Sequence, residues 1–214
     1  MNKEFTKRIL SSIILIPFAL FFIIKGSFLF NFFILICFLI TAYEWHQMTK
    51  NKKYHIYGFV FLIISFYSIY RIRNDWGNEY SWLLGITIVC VATDIGGYIF
   101  GKVFKGPKLI KISPKKTYSG VIGSFLLSFI FTNLFLNFYP TANPFEFTKE
   151  MFLFILIVSF VSQVGDIIIS YFKRKSKIKD TGTIIPGHGG ILDRIDGMIF
   201  AFPFSYVVFL NLNF

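Results

Sequence analysis

Two aspartates of this chain sit inside apolar runs, where an ionisable side chain is costly enough to imply a purpose. Asp94 lies eight residues before Lys102, and Asp166 seven before Lys173. At a helical rise of about 1.5 Å per residue, each carboxylate is expected roughly 10–12 Å from a basic cluster. Asp193 and Asp196 are three residues apart, which on a helix places them on one side. Four carboxylates can thus converge, and an oxygen-rich set of this kind suits Mg²⁺, which takes one or two carboxylates and completes its shell with water and substrate phosphates. The competing reading is plain pairing with neighbouring bases, Asp193 and Asp196 around Arg194 and Asp180 beside Lys179.

Around these acids lie two dense basic loops. One holds Lys102, Lys105, Lys108, Lys111, Lys115 and Lys116, the other Lys173, Arg174, Lys175, Lys177, Lys179 and Arg194. Phosphoryl transfer asks a protein mainly for positioning and charge neutralisation. Lys115, Lys116, Lys173, Arg174, Lys179 and Arg194 suit that work, Arg gripping phosphate through two donors and Lys acting as a point charge. The run Pro186-Gly-His-Gly-Gly190 is too rich in glycine for a helix. Its Gly187, Gly189 and Gly190 would let backbone N–H groups approach phosphate; a re-entry turn is the alternative. No G-x4-G-K-[ST] loop and no G-x-G-x-x-G fingerprint occurs. His188 is equally a phosphate donor or part of the turn. Asp94, Ser113, Thr117 and Ser170 complete the substrate-binding candidates.

The residues must be positioned by membrane helices. Of 214 residues 55% are hydrophobic and only 15% charged, against about 25% charged in a soluble domain. Seven stretches approach the roughly 17–25 residues of a membrane span: 9–24, 27–44, 54–70, 80–101, 119–139, 151–172 and 195–213. Their apolar residues do not alternate with polar ones, which argues against a β-barrel. The expected fold is all-α, a polytopic bundle in one membrane domain, with 1–79 as an N-terminal part and 80–214 as a catalytic part. An N-terminus in the cytoplasm puts eighteen of the 22 Lys and Arg residues on that side, as the positive-inside rule requires. This bias accounts for most of the +11 formal charge, so nucleic-acid binding is not expected. Cys37 and Cys90 have no metal or redox spacing and read as packing residues. Gly97 and Gly101 form a small-xxx-small pair for close helix packing. His46 and His55 read as interfacial, as do Trp45, Trp76 and Trp82.

The residues from Ser170 to Asp196 closely resemble the signature of the phosphatidate cytidylyltransferase family, S-x-x-K-R-x4-K-D-x-G-x3-P-G-H-G-G-x2-D-R-x-D. Every fixed position is met, from Ser170, Lys173 and Arg174 through Lys179, Asp180, Gly182 and Pro186–Gly190 to Asp193, Arg194 and Asp196. Asp94-Ile-Gly-Gly-Tyr98 with Gly101, Ile112-Ser-Pro-Lys-Lys-Thr-Tyr-Ser-Gly120 and Gln163-Val-Gly-Asp166 look like the family's other motifs. The resemblance implies attack by the phosphate of phosphatidic acid on the α-phosphorus of CTP, giving CDP-diacylglycerol and pyrophosphate with a divalent metal; Mg²⁺ suits the carboxylates, and a second cation is left open. It also implies that Asp166, Asp193 and Asp196 hold metal. The attacking phosphate is already anionic, so no general base is assigned. The expected setting is the bilayer of a bacterial inner membrane, multi-pass, with the site facing the cytoplasm; a homodimer is left open. An ion-coupled transporter using Asp94 and Asp166, a CDP-alcohol phosphotransferase, whose D-G-x2-A-R pattern is missing, and a non-catalytic lipid scaffold are the alternatives.

Overall fold

Inside a bilayer no water is present to satisfy backbone N–H and C=O groups, so an apolar run long enough to cross must close its hydrogen bonds on itself as a helix. The computed structural model follows this rule. It describes residues 3–75, 80–110, 113, 116–138, 148–187 and 189–212. The helices are α1 (Lys3–Lys25), α2 (Ser27–Thr49), α3 (His55–Asn74), α4 (Ser81–Val103), α5 (Tyr118–Phe138), α6 (Lys149–Lys175), α7 (Leu192–Ile195) and α8 (Met198–Leu212). Among the described residues there is no strand; the only β pairings are isolated bridges, Lys108 with Thr117 and Ile185 with Gly189. Hydroxyls within the helices turn back on their own backbone, Thr41 to the Cys37 carbonyl, Ser65 to Phe61 and Thr87 to Leu83, which satisfies each donor without a partner on another helix.

Among the described residues five helices, α2 to α6, are long and apolar enough to cross a membrane, and Ile13–Lys25 and Met198–Asn211 are shorter apolar helices. Large apolar side chains such as Ile14, Phe28 and Leu39 are exposed, as expected where lipid is the solvent. The helices overrun the apolar stretches: α2 continues to Thr49, α3 to Asn74 and α6 to Lys175. Helical hydrogen bonding persists into polar turns that hydropathy does not register. The last apolar stretch differs more, because it is broken at Asp196–Gly197 into α7 and α8. Gly197 lies so close to Ser162 that a Cβ would overlap its hydroxyl, and glycine is a poor helix former.

The chain divides into two compact units, the first made of Met1–Tyr80 with Phe172–Asp196 and the second of Ser81–Tyr171 with Gly197–Phe214. In the first, Gly26 turns the chain between α1 and α2 at φ +63°. A Cβ at Gly26 would overlap the guanidinium of Arg73. That buried guanidinium donates to the carbonyls of Ile23 (2.8 Å) and Ile24 (3.3 Å), closing the C-terminus of α1. In the second unit, α4 and α5 pack backbone to backbone. Gly96, Gly97 and Gly101 face Gly120 and Gly123 with Ser124 and Thr117, so the small residues permit close approach as the spacing of Gly97 and Gly101 predicts. Thr93 ties three helices here. Its carbonyl accepts from the Ser124 hydroxyl at 2.7 Å, and its own hydroxyl donates to that of Ser159 at 2.7 Å.

Candidate active site

In the first unit the segment after α6 folds around two carboxylates. Lys173, buried on the last turns of α6, places Nζ 2.9 Å from Oδ1 of Asp193 and 3.7 Å from Oδ2 of Asp196. The ion pair of Asp193 is thus with Lys173, twenty residues earlier. Its other oxygen, Oδ2, accepts from the backbone N–H groups of Thr181 (2.7 Å) and Gly190 (3.0 Å) and lies 3.0 Å from the Thr181 hydroxyl. Burial alone would push the Asp193 carboxyl up; the Gly190 N–H, Lys173 and the Thr181 N–H outweigh it and hold the carboxyl below its ordinary value.

The glycines of the loop are where carboxylates come closest. Gly189 has φ +88° and Gly187 φ +77°, a region that glycine enters without strain. A Cβ on Gly189 would come within 2.7 Å of Asp193 Oδ2. The Gly189 N–H donates to the Ile185 carbonyl at 3.2 Å, so in this structure both the Gly189 and Gly190 N–H groups are engaged inside the loop. Arg174, Lys179, Asp180, Gly187 and Arg194 are exposed, and Arg174 also donates to the Ile178 carbonyl at 3.2 Å.

The second unit holds the other cluster. Lys116 Nζ lies 2.6 Å from Asp166 Oδ2 and donates to the Gln163 carbonyl at 3.1 Å. Ser170, one turn beyond Asp166 on α6, donates to Asp166 Oδ1 at 3.2 Å. Three residues singled out in the sequence, Lys116, Asp166 and Ser170, therefore meet. Thr117 sits at the start of α5, where its hydroxyl accepts the Gly120 N–H at 3.1 Å and contacts Ser119 Oγ at 3.0 Å, the arrangement of a helix cap. Asp94 is exposed on α4 and Ser113 is half-buried. Lys115 and His188 lie outside the described residues, as does Trp76. Among the described residues no three His, Cys, Asp or Glu side chains are grouped to hold a metal by themselves.

One acidic residue escaped the sequence reading. Glu44, near the end of α2, is 2% exposed and accepts from the Ile191 N–H (2.9 Å), the Leu192 N–H (2.8 Å) and the Thr181 hydroxyl (3.0 Å). The rule that singled out Asp94, an acid within an apolar run, applies to it equally. Its neighbour Trp45 is buried: it donates to the His55 carbonyl at 2.9 Å and packs against Phe172 and Tyr54. His55 meets the Thr49 hydroxyl at 2.8 Å, and its ring lies 5.1 Å from that of His46.

A sequence model of the cytidylyltransferase family matches residues 6–72 and 53–212. The chain belongs to that family. It is similar to the phosphatidate cytidylyltransferase of Rickettsia typhi, 36% identical over 211 residues that cover 96% of this chain and 90% of the relative. The Rickettsia bellii protein of the same name is 35% identical over 94% of this chain and 89% of its own length. The Staphylococcus haemolyticus phosphatidate cytidylyltransferase is 38% identical over 70% of this chain and 55% of its own length. In this family member, then, the signature from Phe172 to Asp196 belongs to one unit with the N-terminal helices, while Ser170, the Gly-Asp motif of α6 and Lys116-Thr117 before α5 belong to the other.

Proposed function

We propose that this family member transfers CMP from CTP to phosphatidic acid, giving CDP-diacylglycerol and pyrophosphate for phospholipid biosynthesis. A phosphate oxygen of phosphatidic acid forms a bond to the α-phosphorus of CTP as the bond to the β-phosphate oxygen breaks, and pyrophosphate carries away the electron pair. The observation that carries this reading is the signature segment folded with Lys173 facing both Asp193 and Asp196. A cation is accommodated where two carboxylates meet, and Arg174, Lys179 and Arg194 stand exposed on the same segment.

The donors suit Mg²⁺, since hard carboxylate oxygens are its usual ligands; Asp193 Oδ1 and Asp196 Oδ2 face the Lys173 ammonium, which the metal would displace or adjoin. Mg²⁺ normally keeps water and borrows substrate phosphates, so a preformed cage of three acids is not required. Asp193 and Asp196 would hold it, and Asp166 is proposed as a metal carboxylate from the family motif. Bound there, the metal would neutralise developing charge on phosphate oxygens. Lys116, with Lys115 from the sequence, and Arg174, Lys179 and Arg194 offset the repulsion between two polyanions. Asp94, Ser113, Thr117, Ser170, His188 and Gly187 are proposed to line the substrates. Seven spans, a cytoplasmic N-terminus and a cytoplasmic-facing site in the bacterial inner membrane complete the proposal, supported by the lysine and arginine distribution. No observation favours the transporter reading.

The test is pyrophosphate release by purified protein given CTP and Mg²⁺, with and without phosphatidic acid. Release that requires phosphatidic acid is expected. Folded protein that releases none, or releases it equally without the lipid, rules the proposal out.

A further inference from the structure

Glu44 stands 137 residues before Thr181 and lies in none of the motifs. Its two oxygens nevertheless serve three donors of the signature segment: Oε1 takes the Ile191 N–H, and Oε2 takes the Leu192 N–H and the Thr181 hydroxyl. Ile191 and Leu192 are the cap and first residue of α7, the turn that carries Asp193. The Thr181 hydroxyl is also 3.0 Å from Asp193 Oδ2. Having one proton, it donates to one carboxylate at a time and links the two.

The loop is shaped to admit this side chain. A Cβ on Gly190 would overlap both Glu44 oxygens, and one on Gly182 would stand 2.9 Å from Oε1. Nothing but a glutamate meets the demand. An amide has one oxygen and would turn its NH₂ toward backbone N–H donors, and aspartate is shorter by one carbon. The adjacent Trp45 clamps the beginning of the same segment through Phe172, so consecutive residues of α2 hold both ends of the Phe172–Asp196 stretch.

We infer that Glu44 is a positioning residue for cytidylyl transfer, fixing the first turn of α7 and thereby the direction in which Asp193 and Asp196 face their cation. This rests on the reading that these two aspartates serve the reaction. It predicts that Glu44 acts on turnover through the geometry of α7, rather than through substrate affinity or the amount of folded protein.

The test uses the full chain in lipid nanodiscs, as wild type, Glu44→Gln and Thr181→Val. Amide hydrogen exchange across 181–192, without substrate or metal, is expected to quicken on the order of 10-fold in Glu44→Gln, with α4 and α5 unchanged. Turnover per folded molecule should fall on the order of 100-fold, with KM for CTP altered by less than about threefold, the pattern of an interaction lost in the transition state. Should Glu44→Gln not fold, Thr181→Val, which keeps side-chain shape, carries the test with turnover expected to fall about 10-fold. Wild-type exchange across 181–192, wild-type turnover per folded molecule, or a defect confined to KM overturns the inference. The exchange experiment needs no activity, so a wild-type protein inactive on CTP and phosphatidic acid would defeat the proposed function while leaving the loop's dependence on Glu44 to be decided by exchange.

Discussion

Asp193 and Asp166 are both acids paired with a lysine, yet their surroundings differ in kind. The Asp193 side chain is 3% exposed; Oδ2 accepts from two backbone N–H groups with the Thr181 hydroxyl 3.0 Å away, and among the described residues Oδ1 faces Lys173 alone. The Asp166 side chain is 27% exposed and holds one ammonium and one hydroxyl. An acid engaged by backbone donors is part of how its segment folds. One held mainly by a part-exposed lysine has partners that metal or phosphate can displace at little cost to the fold. Changes at Asp193 and Lys173 should therefore link activity to stability, whereas changes at Lys116 and Asp166, or at the more loosely held Asp196, should separate them.

The largest effect is expected at Asp196, whose contact with Lys173 is the looser one at 3.7 Å. Asp196→Asn should abolish turnover, with a loss of about 1,000-fold or more, and leave expression and membrane insertion intact. Substantial residual activity would remove Asp196 from the metal-holding set. Lys173→Met comes next: it leaves Asp193 buried without its cation, so stability should drop by about 3–5 kcal/mol, seen as an early unfolding transition in detergent. Lys116→Ala separates the two clusters most clearly. The Lys116–Asp166 pair is less buried than Lys173–Asp193, so the unfolding midpoint should move clearly less than in Lys173→Met while CTP-dependent turnover falls about 100-fold. A large loss of stability there would erase the contrast.

Acid should affect the first cluster in a defined direction. Because the folded state holds the Asp193 carboxyl below its ordinary value of 3.8, its contribution to stability is complete above that value and disappears as pH falls through the folded one. Unfolding midpoints measured in EDTA should decline below about pH 4, and Asp193→Asn should flatten that part of the curve. The smallest effect is expected from Thr117→Ala, which removes the cap of α5 and should cost about 1 kcal/mol. A much larger loss of stability would mean that the Thr117 hydroxyl holds more of the fold than the start of α5.

The helices were legible because apolar runs of span length leave the backbone little alternative, and the meeting of Lys116, Asp166 and Ser170 lay within the motifs already singled out. What could not be read locally depends on distance in sequence. Nothing around Glu44 says that its partners are Thr181, Ile191 and Leu192, and nothing around Trp45 says that Phe172 will bury it. The need for glycine at 197 comes from Ser162, a neighbour supplied by tertiary packing. The Gly189 and Gly190 N–H groups looked open to phosphate, but they are engaged by Ile185 and Asp193 once the segment closes.

The central claim, that this chain moves CMP onto lipid, is tested most directly by following two labels. Purified protein, phosphatidic acid and Mg²⁺ are incubated with CTP labelled on either the α- or the γ-phosphate, and the lipid phase is counted. α-Label is expected in the lipid, γ-label in released pyrophosphate, and transfer of neither by Asp196→Asn. No α-label in lipid from folded wild-type protein, or γ-label appearing there, would contradict it.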